Sequence, residues 1–239
     1  MSGHYKWSTI KRKKGAIDAE RSKVFQKLAK ELYVAAKSGD KDPANNSALR
    51  MVIEKAKAEN MPKSNIQSAI DKAHSKNNSE NYDYVRYEGY GPGGMAIMIE
   101  CLTDNKNRTA SFVRSTLTKK GGNLGTDGSV SYLFKRKGLI VLDNSYDEDK
   151  LTEDILELDI LDMDKTEEGY EITTEPNSFI KVKDSLDNLG YNNYLLSEVT
   201  FIPDNYLKLE GETLDKAITL IEQLEDIDDV QSVYHNLDI

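Results

Sequence analysis

The residues best suited to chemistry stand at the start of the chain. Lys6, Lys11, Arg12, Lys13 and Lys14 fall within the first fifteen positions, with no acidic residue among them, and His4, Tyr5 and Trp7 are interleaved. Lysine and arginine neutralise phosphates and exposed rings stack on unpaired bases, so an arm of this kind reads as a nucleic-acid tail. No helical or strand period runs through it to bury either ring. The plain alternative is a solvated leader with Trp7 packed back onto a helix. Arg21, Lys23, Lys27 and Lys30 carry the cationic series into the next segment, either to bind phosphate or to solvate a surface.

The other reactive side chains assemble no recognisable reaction site. Cys101 alternates with Met95, Ile97 and Ile99, which makes it a small buried residue of one strand face rather than a nucleophile. A single cysteine forms no internal disulfide, and the opening SGHYKWSTIKRKK lacks an apolar signal core; both point to the cytoplasm. His4, His74 and His235 lie far apart, which excludes most zinc patterns. Asp159, Asp162, Asp164, Glu167 and Glu168 are dense but lack the spacing of a calcium loop. A solvated acidic face is the expectation there, with a weak divalent-ion site or a docking surface as alternatives. GPGG and GGNLGTDGS lack the Lys-Ser/Thr of a phosphate-cradling loop and read instead as turns that need positive φ. Hydrolase, zinc-protease and dinucleotide fingerprints are absent. A binding protein is expected, not an enzyme, with no cofactor, metal or small-molecule substrate.

Three helical patterns position the first cations. Ile17, Val24, Phe25, Leu28, Leu32 and Ala35 recur near 3.6-residue spacing until Ser38-Gly39. Leu49, Val52, Ile53 and Ala56 mark a second helix, opened by Asn45, Asn46 and Ser47 and closed at Asn60. Pro62 suits the first turn of a third, striped by Ile66, Ala69, Ile70 and Ala73. Lys55, Lys57 and Lys63 join the outer faces of this bundle. A polar stretch over 74–83 reads as a linker, after which the period changes to two.

Strands are expected over 84–90 and 95–103, then a helix from Asn105 to about Lys120 with Phe112, Val113 and Leu117 inward. A strand over 130–134 leads through a hairpin at Lys135-Arg136-Lys137-Gly138 to another over 139–142. Helices near 147–158, 176–189 and 213–224 then alternate with strands near 170–174, 199–202 and 230–234. The fold class is α+β: an N-terminal three-helix domain with an extended basic arm, then two ferredoxin-like α/β domains. The boundaries read as 1–78, 79–137 and 138–204.

Charge is segregated along the 239 residues. Residues 1–76 hold 17 Lys/Arg against 8 Asp/Glu, or +9; residues 77–137 carry +3 and residues 138–239 carry −21. A net charge of −9 thus conceals a basic end that suits a polyanion, unless that end docks on the acidic one. No apolar run nears the roughly 20 residues of a membrane span.

Gly3-His4-Tyr5-Lys6-Trp7, IKRKKGAIDAERSKVF, YEGYGPGG, ECLTDNKNRTA, KKGGNLGTDGSVSYLF and the terminal DDVQSVYHNLDI together resemble the YebC/PmpR family over nearly the whole chain. Tyr5 stands where that family's GHSKW pattern has Ser. The resemblance implies that the middle domain is discontinuous, 79–137 plus 205–239, its sheet completed by the last helix and strand. It implies a regulator without enzymatic activity. Family members are described as DNA-binding transcriptional regulators, while related proteins, including the mitochondrial translational activator of cytochrome c oxidase, act in translation on ribosome or messenger RNA. An RNA- or ribosome-associated factor, a duplex-DNA regulator and an acidic protein adaptor all remain open. The basic arm favours RNA, because no row of Arg, Asn or Gln announces a recognition helix.

Overall fold

The computed structural model describes residues 18–75 and 80–238, with side chains from Ser22 onward in the first helix. His4, Tyr5, Lys6, Trp7, Lys11, Arg12, Lys13 and Lys14 lie outside the described residues, as does part of the expected linker. The chain forms two compact units, one of residues 1–76 with 136–201 and the other of 77–135 with 202–239. Seven α-helices and three sheets are present among the described residues.

In the first unit, α1 (Asp18–Lys37), α2 (Ser47–Ala58) and α3 (Lys63–Ala73) bury Leu28, Leu32, Leu49, Ile66 and Ile70 against one another. Asn46 fixes the turn between the first two helices. Its side-chain oxygen accepts from the Leu49 amide at 3.0 Å, and its Nδ2 donates to the Ala35 and Asp40 carbonyls at 2.9 Å each. Pro62 stands one place ahead of the expected first turn, as the residue that caps α3.

A four-stranded sheet completes this unit. Its strands and helices run β4 (Phe134–Asp143), α5 (Glu148–Ile155), β5 (Asp162–Lys165), β6 (Gly169–Thr174), α6 (Phe179–Asn188) and β7 (Tyr194–Pro203). The order β5-β6-β4-β7 with β-α-β-β-α-β connectivity is the ferredoxin-like arrangement. Ile140, Leu142, Ile172, Phe179 and Leu186 form its core, and Met51 of α2 packs against them. Lys183 of α6 is 5% exposed; its Nζ lies 2.6 Å from Asp187, 3.4 Å from Glu54 of α2 and 4.1 Å from the Tyr194 ring centroid.

In the second unit, β1 (Asp83–Tyr90) and β2 (Ala96–Thr103) form an antiparallel hairpin, followed by α4 (Lys106–Lys119) and the short β3 (Asn123–Leu124). After the first unit's sheet come β8 (Leu207–Lys208), α7 (Gly211–Glu225), β9 (Val230–His235) and β10 (Leu237–Asp238). The sheet order is β3-β1-β2-β9, so the middle domain is discontinuous and closes only with a strand from the end of the chain. Ile97, Ile99 and Cys101 are buried beneath Val113 and Leu117 of α4 and Leu220 and Leu224 of α7. Strand β8 pairs in parallel with β10.

Four expectations are corrected. Phe112 is 53% exposed, not inward: α4 buries Thr109, Val113 and Leu117 at four-residue steps, and Phe112 stands about 100° round the helix from Val113. Residues 131–133 form a 3-10 turn instead of a strand, because Val130 and Ser131 turn their amides onto the buried Glu88 carboxylate. The hairpin at Lys135–Gly138 does not exist; β4 runs straight through it. Gly138 serves close approach there, since a Cβ would collide with Thr174 Oγ1 and the Phe179 ring. The acidic stretch also holds an edge strand, β5, whose Met163 packs on the core while Asp162 and Lys165 stay exposed.

Candidate nucleic-acid interface

Helix α1 is rich in Ala, Leu, Lys and Glu, all good helix formers, and turns its apolar stripe towards α2 and α3. Lys23, Lys27 and Lys30 fall at i, i+4 and i+7, which puts them in one row on a helix surface. Lys23 is exposed, and Lys27 and Lys30 are half-buried. Arg21 lies on the same helix, with its side chain outside the described part. The structure thus aligns three of the expected site residues and leaves the arm and Arg21 undescribed.

The remaining lysines of the bundle are largely engaged by carboxylates. Lys55 Nζ stands 3.1 Å from Glu31 and 3.7 Å from Glu198 of β7, which makes it a bridge between the helices and the sheet. Lys57 pairs with Glu54 at 2.7 Å and Lys41 with Asp71 at 3.0 Å. Hydrogen bonds from Lys41 and Gln67 hold the Asp71 carboxyl below its usual range. Lys63, exposed at the start of α3, has no ion-pair partner among the described residues.

A groove of about 590 Å³ runs beside that row, between α1 and α3. Phe25, Ala29, Met61 and Ala69 make its apolar floor, and Ser22, Gln26, Asn65, Ser68 and Lys72 make its rim. Sequence periodicity assigns Phe25 and Ala69 to the core and does not show that an open groove lies above them.

The second unit uses its most distinctive residues for architecture. Glu88, 3% exposed, accepts from the Gly128 amide at 3.0 Å and from the Val130 and Ser131 amides at 2.8 Å each. Burial opposes its charge, but these donors prevail and hold its carboxyl below the usual range. The glycine-rich loop therefore does cradle an anion, the chain's own, with Gly128 at φ 82° as its turn. Asp229 accepts from Thr109 Oγ1 at 2.8 Å, Arg108 Nη2 at 2.8 Å and Thr103 Oγ1 at 3.3 Å, and so pins the start of α4 to the turn before β9. Cys101 is fully buried, and the His235 ring accepts the Leu237 amide at 3.2 Å. No His/Cys/Asp/Glu cluster fit for a metal occurs among the described residues. No described helix is long and apolar enough to cross a membrane.

Two family models cover most of the chain: the TACO1/YebC protein N-terminal domain over residues 5–76, and the TACO1/YebC second and third domain over residues 82–237. A protein from Geobacillus kaustophilus named "Probable transcriptional regulatory protein" is 56% identical over 100% of this chain and 98% of its own length. One of the same name from Geobacter sulfurreducens is 51% identical over 100% of this chain and 96% of its own. The crystal structure of a conserved hypothetical protein from Aquifex aeolicus superposes with a TM-score of 0.82 at 42% identity, covering 95% of this chain and 93% of that one.

Proposed function

The chain belongs to the TACO1/YebC family, and on that premise we propose that it is a non-enzymatic, cytoplasmic regulator of gene expression that binds nucleic acid, acting as an RNA- or ribosome-associated translation factor. The observation that carries this reading is the segregation of charge, +9 over residues 1–76 against −21 over residues 138–239. Residues 136–201 fold into the same unit as the helices, and Glu198 of that sheet already pairs with Lys55, so the reading rests on the cations that the sequence gathers before and along α1. Lys23, Lys27 and Lys30 offer a row of cations on α1, and Arg21, Lys6, Lys11, Arg12, Lys13 and Lys14 add positive charge ahead of it in the sequence. His4, Tyr5 and Trp7 supply rings for unpaired bases, which RNA presents more freely than duplex DNA. The buried carboxylates Glu88 and Asp229 hold backbone and helix ends, which supports binding rather than catalysis.

A second reading, a duplex-DNA transcriptional regulator, is favoured by the relatives' names and by α3, which exposes Lys63, Asn65, Gln67 and Ser68 on a short helix. Crosslinking in cells, followed by sequencing of the bound nucleic acid, separates the two. Reads dominated by ribosomal or messenger RNA support the translation reading; enrichment of promoter DNA overturns it.

A further inference from the structure

We propose that the groove between α1 and α3 takes one unpaired base of a single-stranded RNA, while the phosphates flanking that base lie on the lysines beside it. The inference rests on the nucleic-acid reading above and deepens it by naming where a base is held. The groove's volume of about 590 Å³ falls within the roughly 300–1,000 Å³ of small-ligand sites. A nucleobase has apolar faces and a polar edge, and the groove matches both. Buried Met61 and Ala69 with half-buried Phe25 and Ala29 form the floor, and exposed Gln26 of α1 and Asn65 of α3 line it as well. Each amide offers both donors and an acceptor, the complement of a base edge.

Charge complementarity selects the occupant. Lys72 stands on the rim, and Gln26 lies three residues from Lys23 and four from Lys30, so the cationic row and the groove are continuous on the helix surface. A polyanion tracking the row presents its side groups to the groove. In a duplex those groups are paired and stacked; only an unpaired base can turn into a cleft.

The test measures binding of labelled 12-nucleotide oligo-A, oligo-U and oligo-C RNA to the full chain across a salt series. Because Gln26 and Asn65 are exposed, the double variant Q26A/N65A is expected to keep the wild-type melting temperature. It should bind about tenfold more weakly, equivalent to roughly 1.4 kcal/mol, lose preference among the three RNAs and keep the salt dependence. Ser68→Phe, which fills the groove from its rim, is expected to weaken binding similarly. K23Q/K27Q/K30Q should instead lower the salt dependence. If Q26A/N65A and Ser68→Phe bind every oligonucleotide as wild type does while the lysine variant weakens, the groove assignment falls and the nucleic-acid reading stands. If the wild-type chain binds none of the RNAs, both fall. If Q26A/N65A melts lower, shifts the emission of the single tryptophan and leaves RNA binding unchanged, the chain's own arm occupies the groove and the proposal is overturned.

Discussion

Glu88 and Tyr191 show how single ionisable residues hold this fold, and each predicts a pH dependence. Glu88 has a folded pKa below its ordinary 4.5, so its contribution is complete above that pH and is lost as pH falls through the lower value. Glu88→Gln should cost about 1–3 kcal/mol at pH 7, with the difference from wild type shrinking as pH falls below the ordinary 4.5 in denaturant titrations. Tyr191 moves the other way. Burial, and then its 2.6 Å hydrogen bond to Asp154, push its hydroxyl up to about 12 from 10.0. The neutral ring therefore stabilises the fold fully below pH 10, and that contribution disappears as pH climbs towards 12. Tyr191→Phe should flatten the fall in melting temperature across this alkaline window. Cys101 was legible as a buried strand residue from its alternation alone. Glu88 was not, because the amides that receive it lie on a loop far ahead in the chain and no spacing rule links them.

Helix α1 is the element on which the functional reading turns. Replacing Lys23, Lys27 and Lys30 with Gln should lower the slope of log affinity against log salt by about 2, at roughly 0.7 per phosphate contact on single-stranded RNA. Unchanged slopes in such titrations would remove this row from the interface. Helix α6 carries a structural counterpart. Lys183→Ala strips the buried cation between Asp187 and Glu54, and should cost about 3 kcal/mol in equilibrium unfolding by loosening α6 from α2. Helix limits were readable to within a few residues because caps such as Asn46 and Asn105 are local chemistry. Phe112 reads as inward in sequence because a large apolar residue beside Val113 satisfies a loose periodicity; only the packing of α7 shows which flank stays open. Strand β5 has no clear signature in sequence, since an edge strand of alternating acids and one half-buried methionine resembles a solvated loop.

At the scale of the whole chain, charge was the most legible property, and long-range pairing the least. Residues 79–239 carry 15 Lys/Arg against 33 Asp/Glu, and a fragment of them should bind single-stranded RNA at least about tenfold more weakly than the full chain in the same buffer. Equal binding would mean that the basic end is not the interface. The pairing of β2 with β9 has no local signature, since Ile97 meets His235 only after the other sheet has intervened. That pairing imposes an order on synthesis. Emerging from the ribosome, the β1–β2 hairpin exposes Ile97, Ile99 and Cys101 and has no cover from α7 until nearly every residue has been made. The sheet of β4–β7, inserted within it, can finish first. A released chain truncated near Lys208 should therefore show a folded inserted sheet beside an open hairpin, which limited proteolysis would cut before it cuts the sheet.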